Sequence, residues 1–168
     1  MNSVYKIVAV LIIGIISCKE KVKNQPVTLN QVGSETYKMK LTDLSNRPID
    51  LGHYREKTLF INFWATWCKP CLEEMPSIQK SQDILKNESI VFLLASNETA
   101  EQIEKFKNEH KYSFNYVRVA NVEELNIMAL PTTFIFNPDG ELVFSEMGYR
   151  EWDDKKNIDL ILNIAKSK

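Results

Sequence analysis

The chain has 168 residues, 21 basic and 22 acidic side chains, and a formal net charge of −1. A hydrophobic fraction of 44% suffices for one ordinary core, and the length fits a single catalytic domain behind a leader. No basic run or patch is present, which argues against nucleic acid as a partner, and near-neutrality suits transient encounters with several proteins.

The first element is an address. Lys6 precedes an aliphatic run, Ile7 to Ile16, which ends in Ser17 and Cys18. A basic start, a short apolar stretch and a small residue at the cut site describe a secretory signal. The run is too short to be a permanent anchor, because about 20 apolar residues are needed to span a bilayer. Residues 19–35 are polar and aperiodic, as in a flexible tether. The predicted organisation is a leader over 1–17, a tether over 18–35 and a folded domain over 36–168.

Within the domain, Thr36–Leu41 alternates polar and apolar residues. A turn at Asp43–Arg47 then leads to Pro48–Leu51, and the whole reads as a β-hairpin. Thr58–Trp64 is nearly continuous apolar sequence, as expected of a strand buried on both faces. Leu72, Met75, Ile78, Gln79, Gln82 and Leu85 recur at helical spacing and predict a helix from Pro70 to Lys86. Ile90–Ala95 reads as a second buried strand. A polar helix follows from Thr99 to His110, with Ile103 and Phe106 inward. Phe114–Val119 reads as a strand and Val122–Ile127 as a short helix. Thr133–Phe136 and Glu141–Glu146 flank Asn137-Pro138-Asp139-Gly140, a hairpin turn signal. A last helix runs from Asp153 to Ala165. Alternating strands and helices followed by an antiparallel hairpin predict an α/β fold with a mixed central sheet.

The chemistry sits in three cysteines, Cys18, Cys68 and Cys71. An odd count in an exported chain requires an explanation for the leftover thiol. Cys68 and Cys71 form a Cys-x-x-Cys between a buried strand and a helix. A helix N-terminus stabilises a thiolate through free N–H groups and the positive end of the dipole. Cys68, at the helix mouth, is expected to be the exposed nucleophile. Cys71, one turn in, is expected to resolve the mixed disulfide. Pro70 costs no hydrogen bond in the first turn. A purely structural disulfide would remove little chain entropy from so short a loop. Zinc would need four ligands, and only His53 and His110 are on offer, at no useful spacing.

The stretch Phe63-Trp64-Ala65-Thr66-Trp67-Cys68-Lys69-Pro70-Cys71 resembles the active site of the thioredoxin superfamily. More narrowly it is similar to the membrane-tethered TlpA/ResA-like reductases, also called redoxin-domain proteins. The resemblance covers residues 36–167 and implies a thioredoxin-like fold, helices flanking the sheet, with an N-terminal β-hairpin extension. Ala129-Leu130-Pro131-Thr132-Thr133-Phe134 is similar to the family's cis-proline segment, which faces the cysteines across the substrate groove and pairs with substrate backbone. The resemblance implies a substrate-binding rim of Trp67, Lys69, Pro70, Leu130, Pro131 and Thr132. Trp64 and Trp67 themselves read as packing and shielding residues around the thiols.

Thioredoxin carries a buried Asp six residues before its first Cys, where this chain has Asn62, which cannot take a proton. TlpA/ResA-like proteins instead place a Glu three residues after the second Cys, and here that residue is Glu74. It is the expected acceptor of the Cys71 proton, unless, like Glu73, it only complements its helix dipole. Pro76 matches the family's kink proline. Cys18, directly after the apolar run, resembles the lipobox cysteine of bacterial lipoproteins, cut before that residue and acylated on it. Ile15 and Ile16 depart from the usual pattern, whereas Ser17 fits.

The resemblance implies a protein thiol–disulfide oxidoreductase in the bacterial envelope, facing the periplasm and lipid-anchored. It would reduce protein disulfides, apocytochrome c among them, with electrons from a DsbD- or CcdA-like membrane donor. No cofactor is expected beyond the Cys68–Cys71 disulfide, no metal, and the domain is expected to act as a monomer. Two other readings stay open: a disulfide-forming oxidant, and a thioredoxin-fold binding or chaperone module without catalysis. A peroxidase fits less well, since the single peroxidatic cysteine of peroxiredoxins lies in a different motif.

Overall fold

A computed structural model describes residues 38–167. The leader, Cys18, the tether and the first residues of the predicted hairpin lie outside the described residues. The strands are β1 (Leu41–Thr42), β2 (Thr58–Phe63), β3 (Ile90–Ser96), β4 (Asn115–Val119), β5 (Thr132–Phe136) and β6 (Leu142–Met147). The α-helices are α1 (Lys69–Ile84), α2 (Ala100–Glu109) and α3 (Lys155–Lys166). They build one six-stranded sheet in the order β1-β4-β3-β2-β5-β6. β2, β3 and β4 are parallel, whereas β1, β5 and β6 add antiparallel strands at the two sides.

Every residue of β2 is buried, which is why it reads as an unbroken apolar run rather than an alternation. Its side chains still divide by parity. Phe60 faces the same core as Cys71, Met75 and Ile78 of α1, Ile103 and Phe106 of α2, and Ile161 and Ile164 of α3. Leu59, Ile61 and Phe63 face the opposite core with Met39, Leu41, Val117 and Phe136. These three α-helices, the ones among the described residues, therefore cover one face. The other is closed by two single-turn 3-10 helices, Leu51–Tyr54 and Val122–Leu125, and the chain around them. Asn62 has the parity of Phe60, so it projects toward α1 as a polar group in the helical layer.

The mixed α/β sheet predicted from the sequence is present, with two differences in extent. The hairpin contracts: Thr42 bridges Pro48, Ile49 N–H donates to Leu41 C=O, and β1 finds its main partner in β4. Asp43 draws the turn tight by accepting from Ser45 N–H and Arg47 N–H, both at 2.9 Å. The short helix over 122–127 is a single 3-10 turn ending at Asn126, in the left-handed region at φ 54°. By contrast α2 opens on a complete capping box between Thr99 and Gln102. No helix among the described residues is long and apolar enough to cross a membrane.

Candidate active site

Cys68 is the N-cap of α1, with extended backbone (φ −83°, ψ 94°) and no side-chain cap. The N–H groups of the first turn are thus left without a side-chain cap at the end of the helix that carries Cys68. Cys68 N–H donates to Ala65 C=O and Leu72 N–H to Cys68 C=O, both at 3.1 Å, which fixes the loop's entry into the helix. The two sulfurs are bonded at 1.99 Å, with the Cα atoms 5.3 Å apart. Cys68 is 4% exposed and Cys71 1%. Both are buried, so the expected exposed Cys68 is corrected for the disulfide form.

Around the sulfurs the surface is uneven. Trp64 is buried against Phe106 and Tyr116, at ring distances of 4.7 and 5.6 Å, and packs as expected. Trp67 does not: it is 74% exposed, so the expectation of a packed, shielding Trp67 is corrected. The reason lies in the turn, which carries Trp64 into the core and, three residues later, points Trp67 outward. Lys69 and Pro70 are exposed as well, and Lys69 lies 3.6 Å from Glu73.

The Leu130–Pro131 peptide bond is cis, as the motif predicted. Pro131 and Thr132 are buried, and the Thr132 hydroxyl donates to Ala129 C=O at 2.6 Å. Thr132 therefore offers a substrate no side-chain group. Leu130 is half-buried, and its backbone N–H and C=O make no hydrogen bond among the described residues. Together with Trp67, Ile127 and the 82%-exposed Met128, it lines an apolar groove of about 250 Å³.

Beneath the site lies Glu74, one turn after Cys71 on α1 and fully buried. Asn62 Nδ2 donates to its Oε1 at 2.6 Å, and Arg150 N–H to its Oε2 at 3.1 Å. No cation pairs with it among the described residues. Burial consequently pushes its pKa up to about 7, against the pull of Asn62, the Arg150 amide and the nearby Trp152 indole. Among the described residues that indole N–H makes no hydrogen bond of ordinary geometry. Asn62 also donates its other amide hydrogen to Thr133 Oγ1 at 3.0 Å.

A second acid was not picked out by the sequence. Glu98, 8% exposed, accepts from Thr66 N–H at 2.7 Å and from the Thr66 hydroxyl at 2.6 Å. Ser96 Oγ adds a third donor at 3.2 Å. Glu98 thereby clamps the loop two residues before Cys68. Standing just before the Thr99 cap, it reads in sequence as an ordinary helix-start acid. Only the pairing of β3 beside β2 reveals its partner.

A mixed sheet with a Cys-x-x-Cys disulfide at a helix N-terminus and a cis-proline leading into β5 defines a thioredoxin-like thiol–disulfide oxidoreductase. The chain belongs to the AhpC/TSA family, whose profile matches residues 32–145. It is 36% identical over 115 residues to the thiol-disulfide oxidoreductase ResA of Geobacillus kaustophilus, covering 66% of each chain. With ResA of Bacillus thuringiensis it shares 31% identity over 123 residues, or 70% of each chain. A solved thiol:disulfide interchange protein DsbE from Chlorobium tepidum superposes with a TM-score of 0.67 at 18% identity, over 76% of this chain and 93% of that one. This last likeness speaks to the fold alone. The chain is a thiol–disulfide oxidoreductase, and Cys68 and Cys71 form its Cys-x-x-Cys disulfide.

Proposed function

We propose that the chain is an envelope reductase in which Cys68 attacks, Cys71 resolves and Glu74 takes the proton. In the dithiol form the Cys68 thiolate attacks a substrate disulfide, forms a mixed disulfide and expels one substrate thiolate. Cys71 then gives its proton to Glu74 and attacks the Cys68 sulfur. The second substrate thiolate leaves, and the Cys68–Cys71 disulfide remains. Two electrons pass to the substrate, and no other redox group is required.

The observation that carries this reading is Glu74: buried, without a cation partner among the described residues, and pushed up to about 7. A group with that affinity takes a proton readily near neutrality, as a dipole-complementing surface acid would not. The free backbone of Leu130 and the apolar groove beside it suit an extended substrate peptide, which would add as a strand and place one side chain among Trp67, Met128 and Ile127. Lys69 and Pro70 form the other rim. Pro131 and Thr132 serve through the backbone they shape.

The remaining assignments follow the family and the sequence. Residues 1–17 are a lipoprotein signal cut before Cys18, the acylated Cys18 anchors the chain, and 18–35 tether the 36–168 domain on the periplasmic side. Electrons come from a DsbD- or CcdA-like membrane protein, the substrates include apocytochrome c awaiting haem, and the domain works as a monomer.

The deciding measurement is the reduction potential of the Cys68–Cys71 couple, equilibrated in thiol buffers and followed by tryptophan fluorescence. A value at or below roughly −230 mV supports the reductase, and one near about −120 mV makes the chain a disulfide donor. Cys68→Ser is expected to abolish insulin reduction. Cys71→Ser is expected to accumulate the mixed disulfide instead.

A further inference from the structure

The segment after β6 points alternate backbone N–H groups into the site. Gly148 N–H donates to Pro131 C=O at 2.7 Å. Arg150 N–H donates to Glu74 Oε2 and Trp152 N–H to Ser77 Oγ, each at 3.1 Å. This strap, residues 148–152, therefore joins the cis-proline segment to the active-site helix. It starts at a glycine in the left-handed region, φ 101°, where most side chains would be strained.

The strap is held by the side chain of its middle residue. Arg150 Nε donates to Asn157 Oδ1 on α3 at 2.8 Å, and the guanidinium pairs with Glu146 on β6. Its plane lies over Phe144 and Trp152, 5.3 and 5.4 Å from the ring centres. Asn157, itself buried, donates back to Glu151 C=O at 2.5 Å. Arginine suits this place because one planar group can donate in a fork and stack on rings at once, which lysine cannot do.

We propose that Arg150 is a positioning residue for Glu74, locking the Gly148–Trp152 strap so that its amides hold the Glu74 carboxylate and the Pro131 carbonyl in fixed relation. Arg150 forms its ion pair with Glu146 and acts on Glu74 through the backbone. The consequence for catalysis rests on the proton-accepting role proposed above; the positioning itself does not. The ionisable groups around Glu74 are Glu73 and the Cys68–Cys71 pair on α1, Tyr149, Arg150 and Glu151 on the strap, and Glu146 on β6. β2, β5 and α3 present the neutral Asn62, Thr133 and Asn157.

The test uses the full chain as wild type, Arg150→Gln, Arg150→Lys and Asn157→Leu. The Glu74 titration midpoint is read by carbon-13 NMR of the side-chain carboxyl, and the acid limb of the rate by single-turnover insulin reduction across pH. An N–H donated to a carboxylate favours its charged form, so loosening the strap is expected to move the midpoint upward by about one unit. Arg150→Lys keeps the charge but not the fork, and Asn157→Leu removes the anchor without touching charge. Both are expected to follow Arg150→Gln, and they carry the test if that variant does not fold. An unmoved midpoint in the folded variants overturns the proposal, as does a wild-type midpoint in Arg150→Lys, which would assign the effect to charge alone. A midpoint that moves while the rate limb stays leaves the positioning standing and removes the proton-transfer reading.

Discussion

The loop that enters the disulfide and the helix that leaves it each rest on a buried glutamate, and the two are wired differently. Glu98, on the entering side, receives three donors, two of them from Thr66. Its acceptor capacity goes into fixing a loop. Glu74, on the leaving side, receives one side-chain amide and one backbone N–H in a fully buried setting. Two neutral donors do not replace the water lost on burial, and its pKa rises to about 7. The same side chain thus fastens a loop at one end of the motif and, in the function proposed above, takes a proton at the other.

The largest expected effect breaks the comparison at Glu74. Its folded pKa, about 7, lies above the ordinary 4.5, so the folded state binds its proton more tightly than the unfolded chain does. The stabilisation linked to that proton is complete below about 4.5 and is lost as pH rises through about 7. The loss is on the order of 3 kcal/mol. Urea unfolding from pH 4.5 to 8 is expected to show this decline in the wild type and a flatter profile in Glu74→Gln. An unchanged slope in the variant would place the titration elsewhere. Next in size, Glu74→Gln is expected to slow resolution of the mixed disulfide about 100-fold at pH 7, the scale of a lost general base. Glu98→Gln should change that step by no more than about threefold, since it keeps an acceptor for Thr66 and lies outside the proton path. Equal losses in both variants would erase the distinction.

The two regions also differed in how far sequence alone could read them. Cys68, Cys71, the cis bond at Pro131 and the buried β2 and β3 were legible because each leaves a local mark: a spacing, a motif or an unbroken apolar run. Glu74 was legible through its distance from Cys71, though its burial was not. Glu98 and Arg150 left no such mark. Both stand in loops as ordinary charges, and their partners are distant in the chain: Thr66 lies 32 residues from Glu98, and Glu74 lies 76 residues from the Arg150 amide. Trp67 was misread for the opposite reason. Its neighbour Trp64 is buried, and composition does not say that the turn between them reverses the side chain's direction.

Glu98 gives the third prediction. Glu98→Ala leaves the Thr66 N–H and hydroxyl without their acceptor next to the core, and a hydrogen bond to a charged group contributes about 2 kcal/mol. The variant is expected to lose about that much stability in urea, with Glu98→Gln recovering a part. The reduction potential should also drift, because the loop ahead of Cys68 is no longer fixed. A variant as stable as the wild type would mean that water replaces the carboxylate and that the clamp is incidental.

The smallest expected effect separates the two functions of Asn62. One amide hydrogen serves Glu74 and the other Thr133 Oγ1, at 2.6 and 3.0 Å. Thr133→Val keeps the shape and removes only the acceptor, so stability is expected to fall by about 1 kcal/mol. The acid limb of exchange should stay in place, because the hydrogen facing Glu74 is still held by the backbone of β2 between β3 and β5. If that limb instead moves upward, Thr133 is what aims the amide, and the proton affinity of Glu74 is set from β5 as well as from the strap. The shared dependence would join the cis-proline strand, which carries Thr133, to the acid through side chains in addition to backbone.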